Sequence, residues 1–375
     1  MAEESSKMVA EKPKKFLNEP ANAVEEFIEG LLLTYPNKLQ RLENHHVVLA
    51  KPLNESQKVH ILSGGGSGHE PSHAGWIGDG MLSGAILGGI FASPSVSSIL
   101  AAIRSVTQNG SACLLIVKNY TGDRLNFGMA CELANAENRP CEMVIVADDC
   151  AIPRSKGETG ARGVAGTVLV HKAAGAAAAK GMTLQEVACI AMRVASRIGS
   201  LGVALDAVSL PGAATINSRL AGNKMEIGLG IHGEAGIRQS PLLTSKEIAK
   251  EIVDTIHQFG FKPYQSSSGD ELHKIQAGQN LILLVNNLGG TSNFEIFILA
   301  RDLIRYMESS LQCKVSRAFV GSFMTSFNMH GASASILCLG EQENDLAALI
   351  DAPTDAPGMC KLKFHAFQFV VFAYS

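Results

Sequence analysis

Along most of the chain, short apolar runs alternate with glycine-rich polar loops and with segments of helical spacing. Val24, Phe27, Ile28 and Leu31 fall three and four apart, which predicts a helix over Ala23–Thr34. Residues 59–62 form a short apolar run that leads straight into SGGGSGHEPSHAG (63–75). Residues 112–117 form a second run, followed by KNYTGDR and a helix expected from about Leu125. Residues 143–147 form a third, followed by Asp148 and Asp149. Repetition of strand, loop and helix is the signature of an open α/β sheet, whose sites gather at the carboxyl ends of the strands.

GETGARGVAGTVLVHKAAGAAAAKG (157–181) is rich in small residues and predicts a loop leading into a tightly packed helix around 165–180. Thr183-Leu-Gln-Glu186 fits a capping box for the next helix. Its apolar stripe is Leu184, Val187, Ala188, Ala191, Val194, Ala195 and Ile198. Further strands are expected at 226–231, 281–285, 315–320 and 335–339, and helices at 245–258 and 293–309. The pattern predicts two α/β domains with open, mostly parallel or mixed sheets. A flexible tail is expected over 1–14, a first domain over 15–182, a second over 183–356 and an atypical C-terminal tail over 357–375.

Composition sharpens this picture. The chain has 375 residues, enough for two domains, with a formal net charge of −3. So even a balance argues against nucleic acid or an anionic membrane as the main partner. The eight cysteines contain no CxxC pair and most lie in apolar surroundings, which reads as free thiols in a reducing compartment. The charged N-terminus does not read as a signal peptide, and no apolar run is long enough to span a bilayer. A soluble, cytoplasmic protein is expected.

Four stretches carry candidate chemistry. GLGIHGEAG (228–236) contains a GxGxxG, but the polar run EAGIRQSPLL follows where a dinucleotide fingerprint needs a helix. The alternative is an imidazole, His232, left open by Gly230 and Gly233, since a neutral ring nitrogen is a nucleophile. From this stretch alone a turn histidine that only hydrogen-bonds the backbone is the preferred reading, and the orientation of Glu234 is open. SGGGSGHEP (63–71) lacks the Gly-Lys-Ser/Thr of a P-loop, but its glycines supply clustered amides and room for a small polar ligand. His69 stands where a general base could reach a substrate hydroxyl, and His73, four residues on, reads as structural because Pro71 intervenes. KNYTGDR places Lys118 at a strand end and Asp123 in a turn. Asp148 and Asp149 could hold Mg²⁺ or form an ordinary strand-end loop, and the second is preferred.

Taken together, SGGGSGHEPSHAG, ILAAIRSV, LLIVKNYTGDRLNFGMA, GTVLVHK, GLGIHGEAG, LLVNNLGG and VGSFMTS resemble the substrate-binding subunit or domain of the dihydroxyacetone kinases, the animal triokinase/FMN cyclases most of all. The resemblance runs from about Lys15 to Asp355. It implies that His232 attacks the ketone carbon of dihydroxyacetone to form a hemiaminal, that His69 is the base on the hydroxyl to be phosphorylated, and that Asp123 assists proton transfer. It implies that Gly66, Ser67, Gly68, His69, Lys118 and Asp123 hold the triose, with glyceraldehyde as a second substrate, and that no metal binds these residues. It also implies a homodimer. ATP and Mg²⁺ belong in this family to a separate helical domain, for which the sequence after DAPTDAPG (351–358) shows no match, and FMN cyclase activity is therefore not expected. Two functions remain: a kinase that works with a nucleotide-binding domain from another chain, such as a full-length kinase, or a non-catalytic triose-binding or regulatory protein. A dinucleotide-dependent oxidoreductase rests on the GxGxxG alone.

Overall fold

The computed structural model describes residues 14–153, 160–213, 220, 222–262, 272–340 and 344–359. Residues 1–13 of the expected N-terminal tail, 157–159 of the small-residue stretch and 360–375 of the expected C-terminal tail, with Cys360, lie outside the described residues. The helical stripe near the N-terminus forms α1 (Ala23–Thr34), with Ile28 fully buried. The first sheet then builds up from β1 (Leu39–Leu42), β2 (Val47–Ala50), β3 (Val59–Ser67), β4 (Gly84–Ile90), α2 (Val96–Val106), β5 (Ala112–Lys118), α3 (Thr121–Ala136) and β6 (Cys141–Val146).

Its strands lie in the order β1-β2-β4-β3-β5-β6. β1, β2 and β4 pair antiparallel, and β4, β3, β5 and β6 run parallel. The chain leaves β3 first toward β4 on one side and then toward β5 on the other. The crevice above the carboxyl ends of β3 and β5 is therefore a topological switch point, where open α/β sheets bind ligands.

β3 continues as strand through Gly64-Gly65-Gly66, which the sequence reads as loop. The glycines are there because neighbouring backbone comes too close for a side chain: a Cβ on Gly64 would lie 2.2 Å from the Ile86 carbonyl oxygen. A second correction concerns α3. Its expected start near Leu125 moves forward to Thr121, so Asp123 stands in the first turn of a helix and not in a free turn. Extended backbone at Tyr120 opens that helix, and the unpaired N–H groups of its first turn favour an acidic side chain there.

The small-residue stretch forms α4 (Thr167–Ala179), buried over almost its whole length, and α5 (Leu184–Ala195) follows with the expected Thr183–Glu186 capping box. Ile198, expected on the α5 stripe, instead opens the next strand. The second sheet uses β7 (Ile198–Ala204), β8 (Lys224–Ile227), β9 (Arg238–Pro241), β10 (Asn280–Asn287), β11 (Lys314–Gly321) and β12 (Gly331–Cys338). Between and after these strands lie α6 (Ser245–Phe259), α7 (Asn293–Ser310) and α8 (Asn344–Asp351). The order is β11-β10-β12-β7-β8-β9, and only β10 and β11 pair parallel. Both sheets are thus open and mixed, as the sequence predicts.

The core is layered. Ile61, Ile116 and Val144 of the first sheet share one apolar cluster with α4, α5 and α8 and with Ile282, Leu284 and Leu337 of the second. α2 and α3 cover the outer face of the first sheet, and α6 and α7 that of the second. α5, the helix at the expected start of the second domain, packs on β5 and β6. The small residues of α4 let this middle layer fit: a Cβ on Gly175 would sit 2.4–2.6 Å from the Met81 backbone. All seven described cysteines are free thiols. No helix among the described residues is long and apolar enough to cross a membrane.

Two glycine substitutions check this layering. Gly175→Ala forces a methyl group into the Met81 backbone and is expected to lower stability by about 1–3 kcal/mol. Gly30→Ala, in exposed α1 with no neighbour within 4 Å, is expected to raise it by about 0.5–1 kcal/mol. Denaturant midpoints read both; equal effects would mean that α4 is not held against Met81.

Candidate functional site

Four chain segments meet above the switch point: the end of β3 with Gly68 and His69, Lys118 ending β5, the loop after β8 with His232, and the loop after β11 with Thr325 and Phe327. Backbone hydrogen bonds join the two sheets here, from Thr325 N to the His69 carbonyl (3.1 Å) and from Phe327 N to the Gly68 carbonyl (2.9 Å). Gly68 adopts φ +108°, and a Cβ there would lie 2.5 Å from the Phe327 ring and 2.7 Å from that of Phe91. Glycine is required at this position for both its conformation and its bareness.

His69 is fully buried, and its Nδ1 lies 2.8 Å from the Thr325 carbonyl oxygen. A carbonyl only accepts, so Nδ1 carries the proton and Nε2 presents a lone pair. Nε2 has no hydrogen-bond partner. Burial, then the nearby charges of Lys118 and His232, hold the ring pKa well below the ordinary histidine range, so it stays neutral. Phe91 stacks on it, with centroids 4.8 Å apart.

His232 approaches from the second sheet. Its ring centroid is 4.9 Å from that of His69, 4.7 Å from Tyr120 and 5.0 Å from Phe91. Its Nδ1 lies 2.9 Å from Glu234 Oε1, while its backbone N–H donates to Glu234 Oε2, also at 2.9 Å. Burial alone would raise the Glu234 carboxyl, but its hydrogen bond to His232, the charge of that ring and Arg162 hold it down to about 2. A carboxylate accepts only, so Nδ1–H donates, and in the neutral ring Nε2 keeps a lone pair without a partner. His232 thus does more than hydrogen-bond the backbone. The side chain keeps 20% of its surface exposed.

Lys118 is 0% exposed, and its Nζ makes no hydrogen bond. Burial lowers its pKa, opposed by the charges of Asp123, Glu234 and Asp148. Lys118 Nζ and Asp123 Oδ2 flank Gly65, whose Cβ would lie 3.2 Å from the first and 3.4 Å from the second. Asp123 Oδ1 accepts a hydrogen bond from Ser93.

The structure therefore gathers His69, His232, Lys118 and Asp123 around one crevice. Gly66, Ser67 and Gly68 border it, but their own groups already serve the loop. A Cβ on Gly66 would lie 2.6 Å from Ala92 N, Ser67 Oγ donates to the Gly88 carbonyl (2.8 Å), and Gly68 N donates to the Glu70 carboxylate (3.0 Å). Gly230 does not clear a path for a ligand as its position suggests. Its missing side chain makes room for Glu234 and Arg162. The GxGxxG leads to β9, and the next helix starts at Ser245. His73 packs against His171, with centroids 5.2 Å apart.

Asp148 accepts hydrogen bonds from Val164 N, Gly166 N and Ser200, and Asp149 pairs with Arg162. Neither has the free oxygens that a Mg²⁺ site needs. Among the described residues, no group of three or more His, Cys, Asp or Glu side chains is placed to hold a metal ion. Sequence reasoning missed Phe91, Tyr120, Arg162, Thr325 and Phe327. Tyr120, inside KNYTGDR, and Thr325, inside VGSFMTS, lie in stretches the sequence singles out; Phe91, Arg162 and Phe327 are brought in by the fold.

The Dak1 domain profile matches residues 29–358. The chain is 45% identical over 346 residues to the triokinase/FMN cyclase of Homo sapiens, a match covering 92% of this chain and 57% of that protein. The chain thus spans little more than half the length of that relative. It is 39% identical over 330 residues to the dihydroxyacetone-binding subunit DhaK of PTS-dependent dihydroxyacetone kinase 1 of Listeria innocua, covering 88% of this chain and 95% of that subunit. Among solved structures, the dihydroxyacetone kinase operon co-activator Dha-DhaQ superposes with a TM-score of 0.79 at 34% identity, over 91% of this chain and 98% of that one.

An unpaired buried ammonium costs stability and is kept for function. Lys118→Met is therefore expected to stabilise the fold at pH 7 by roughly 1–3 kcal/mol. Because burial lowers the folded-state pKa of Lys118, the native state releases its proton first, and wild-type stability rises with pH toward the unfolded value of 10.5. The gap between variant and wild type should narrow over that window. Denaturant unfolding from pH 7 to 10 measures it, and a less stable Met variant would show the charge to be compensated.

Proposed function

The chain belongs to the Dak1 domain family, and from that premise we propose that it is the substrate-binding unit of a dihydroxyacetone kinase, accepting glyceraldehyde as a second triose. One observation carries the reading: two imidazoles stand with ring centroids 4.9 Å apart, each with Nδ1 against an acceptor and Nε2 without a partner. A small carbonyl compound with hydroxyl groups fits that pair of lone pairs.

His232 Nε2 attacks the ketone carbon of dihydroxyacetone. The N–C bond forms as the C=O π pair moves to oxygen, which takes up a proton and gives a hemiaminal. The ring becomes an imidazolium, and the Glu234 carboxylate stabilises it until the Nδ1 proton leaves to solvent. Glycerol has similar size and hydroxyls but no carbonyl, so adduct formation discriminates by reactivity where hydrogen bonds alone do so poorly. His69 Nε2 takes the proton of a terminal hydroxyl as that oxygen attacks the terminal phosphorus of ATP and ADP departs. Asp123, held by Ser93 beside the Lys118 ammonium, takes part in this proton transfer, and Lys118 hydrogen-bonds the triose oxygens. The Gly66–Gly68 backbone closes the pocket.

The described residues form no fitting Mg²⁺ site, so ATP and Mg²⁺ are assigned to a nucleotide-binding domain beyond them or on another chain. A homodimer in the cytoplasm is the proposed setting; the free thiols of the described residues suit a reducing compartment. The co-activator's fold favours a second reading, in which the chain binds a triose without turnover and acts as a regulator. Turnover on mixing the chain with a relative's nucleotide-binding domain, ATP and Mg²⁺ separates the two.

The covalent step has its own check. With dihydroxyacetone labelled ¹³C at the carbonyl and protein labelled ¹⁵N at histidine, a one-bond ¹³C–¹⁵N coupling is expected, lost in His232→Ala. Its persistence in that variant, or absence from a wild-type protein saturated with the ketone, would overturn the hemiaminal.

A further inference from the structure

His232 is held by Glu234, and Glu234 is itself held. Arg162 anchors one edge of its guanidinium on buried Asp149, with Nε 2.7 Å and Nη2 2.6 Å from Oδ2. Nη2 also donates to the Gly228 carbonyl at 2.9 Å, and the other Asp149 oxygen accepts from Ala151 N at 2.9 Å. Backbone closes the arrangement, with Asp149 N donating to the Arg162 carbonyl at 3.0 Å. With Nε and Nη2 engaged, Nη1 is the edge left to face Glu234. The two meet in the space that a side chain at Gly230 would take: its Cβ would lie 2.0 Å from Glu234 Oε2 and 2.5 Å from Arg162 Nη1.

We propose that Asp149 and Arg162 are positioning residues which act through Glu234 to fix His232 as its Nδ1–H tautomer, leaving Nε2 free toward the carbonyl compound. The inference rests on the reading of His232 as the nucleophile. Its physical basis is independent of any ligand. A carboxylate on a flexible side chain at the protein surface would swing away from the ring. Arg162, rigid because its fork is already engaged by a buried carboxylate, sets a fixed positive charge beside it that favours the inward position. Asp149, which the sequence reads as part of an ordinary strand-end loop, thereby supports the site through Arg162. The second glycine of GLGIHGEAG is required because Glu234 and Arg162 together occupy its side-chain volume.

The test reads the tautomer in ligand-free protein, from the ¹⁵N shifts and two-bond ¹H couplings of the histidine rings at neutral pH. Wild type is expected to show His232 with Nδ1–H. Asp149→Asn/Arg162→Met removes both charges together and avoids a lone buried ion. It is expected to give a mixture of tautomers at His232, with His69 unchanged on its Thr325 carbonyl, and to slow adduct formation about tenfold or more, the scale seen when outer-shell partners of a ring are lost. Arg162→Lys should recover part of both. Gly230→Ala, which wedges Glu234 from Arg162 and leaves both charges in place, is expected to reproduce the tautomer change and serves if the double variant does not fold. A folded variant of either kind with His232 still wholly Nδ1–H overturns the proposal. Wild type with the expected tautomer but no adduct would instead refute the nucleophile, so the two failures are distinguishable.

Discussion

The hydrogen bond from His69 to the Thr325 carbonyl is the constraint on which the site depends. It joins the carboxyl end of β3 in one sheet to the loop after β11 in the other, and it decides which ring nitrogen is bare. Around it, residues 68–70 and 325–327 exchange further hydrogen bonds, including Thr325 Oγ1 to the Glu70 carbonyl at 2.8 Å. The middle layer of α4 and α5 brings the two sheets near enough for this contact, because small residues there admit backbone where larger ones would not. Packing in the core thus sets the distance between His69 and His232.

The site combines two ways of preparing an imidazole. His69 is kept neutral by burial and by a fixed acceptor, and has no exposed surface. His232 keeps contact with solvent and takes its orientation from a carboxylate that an arginine restrains. The first arrangement suits a base that meets its proton only when a substrate is present. The second suits a nucleophile that a carbonyl compound must reach from outside. Lys118, buried and without a hydrogen bond, is a cost to the fold that a bound oxygen atom would offset.

Much of this was legible in the sequence. Helical spacing located α1, α6 and α7 closely, and the capping box at Thr183 marked a real helix start. His69, Lys118, Asp123 and His232 were singled out, and the structure brings them together. What failed did so for physical reasons. Glycine runs signal close approach without saying of what: Gly64 and Gly66 admit neighbouring backbone, Gly68 two aromatic rings, and Gly230 the side chains of Glu234 and Arg162. The first residue of β7 was read as the end of a helix, because Ile198 continues the α5 spacing, and the rest of the strand was not read, because Gly199 and Gly202 weaken its pattern. Arg162 carries no local signal, since it matters only through partners far along the chain, and Thr325, though within VGSFMTS, acts through a backbone carbonyl that its side chain does not announce.

The central claim is that the two bare Nε2 atoms converge on one triose. A crystal structure of the chain soaked with dihydroxyacetone measures this most directly. The account predicts continuous density from His232 Nε2 to the central carbon, with a terminal hydroxyl within hydrogen-bond reach of His69 Nε2. A triose bound elsewhere, or lying in this crevice with His232 Nε2 unattached, would contradict it.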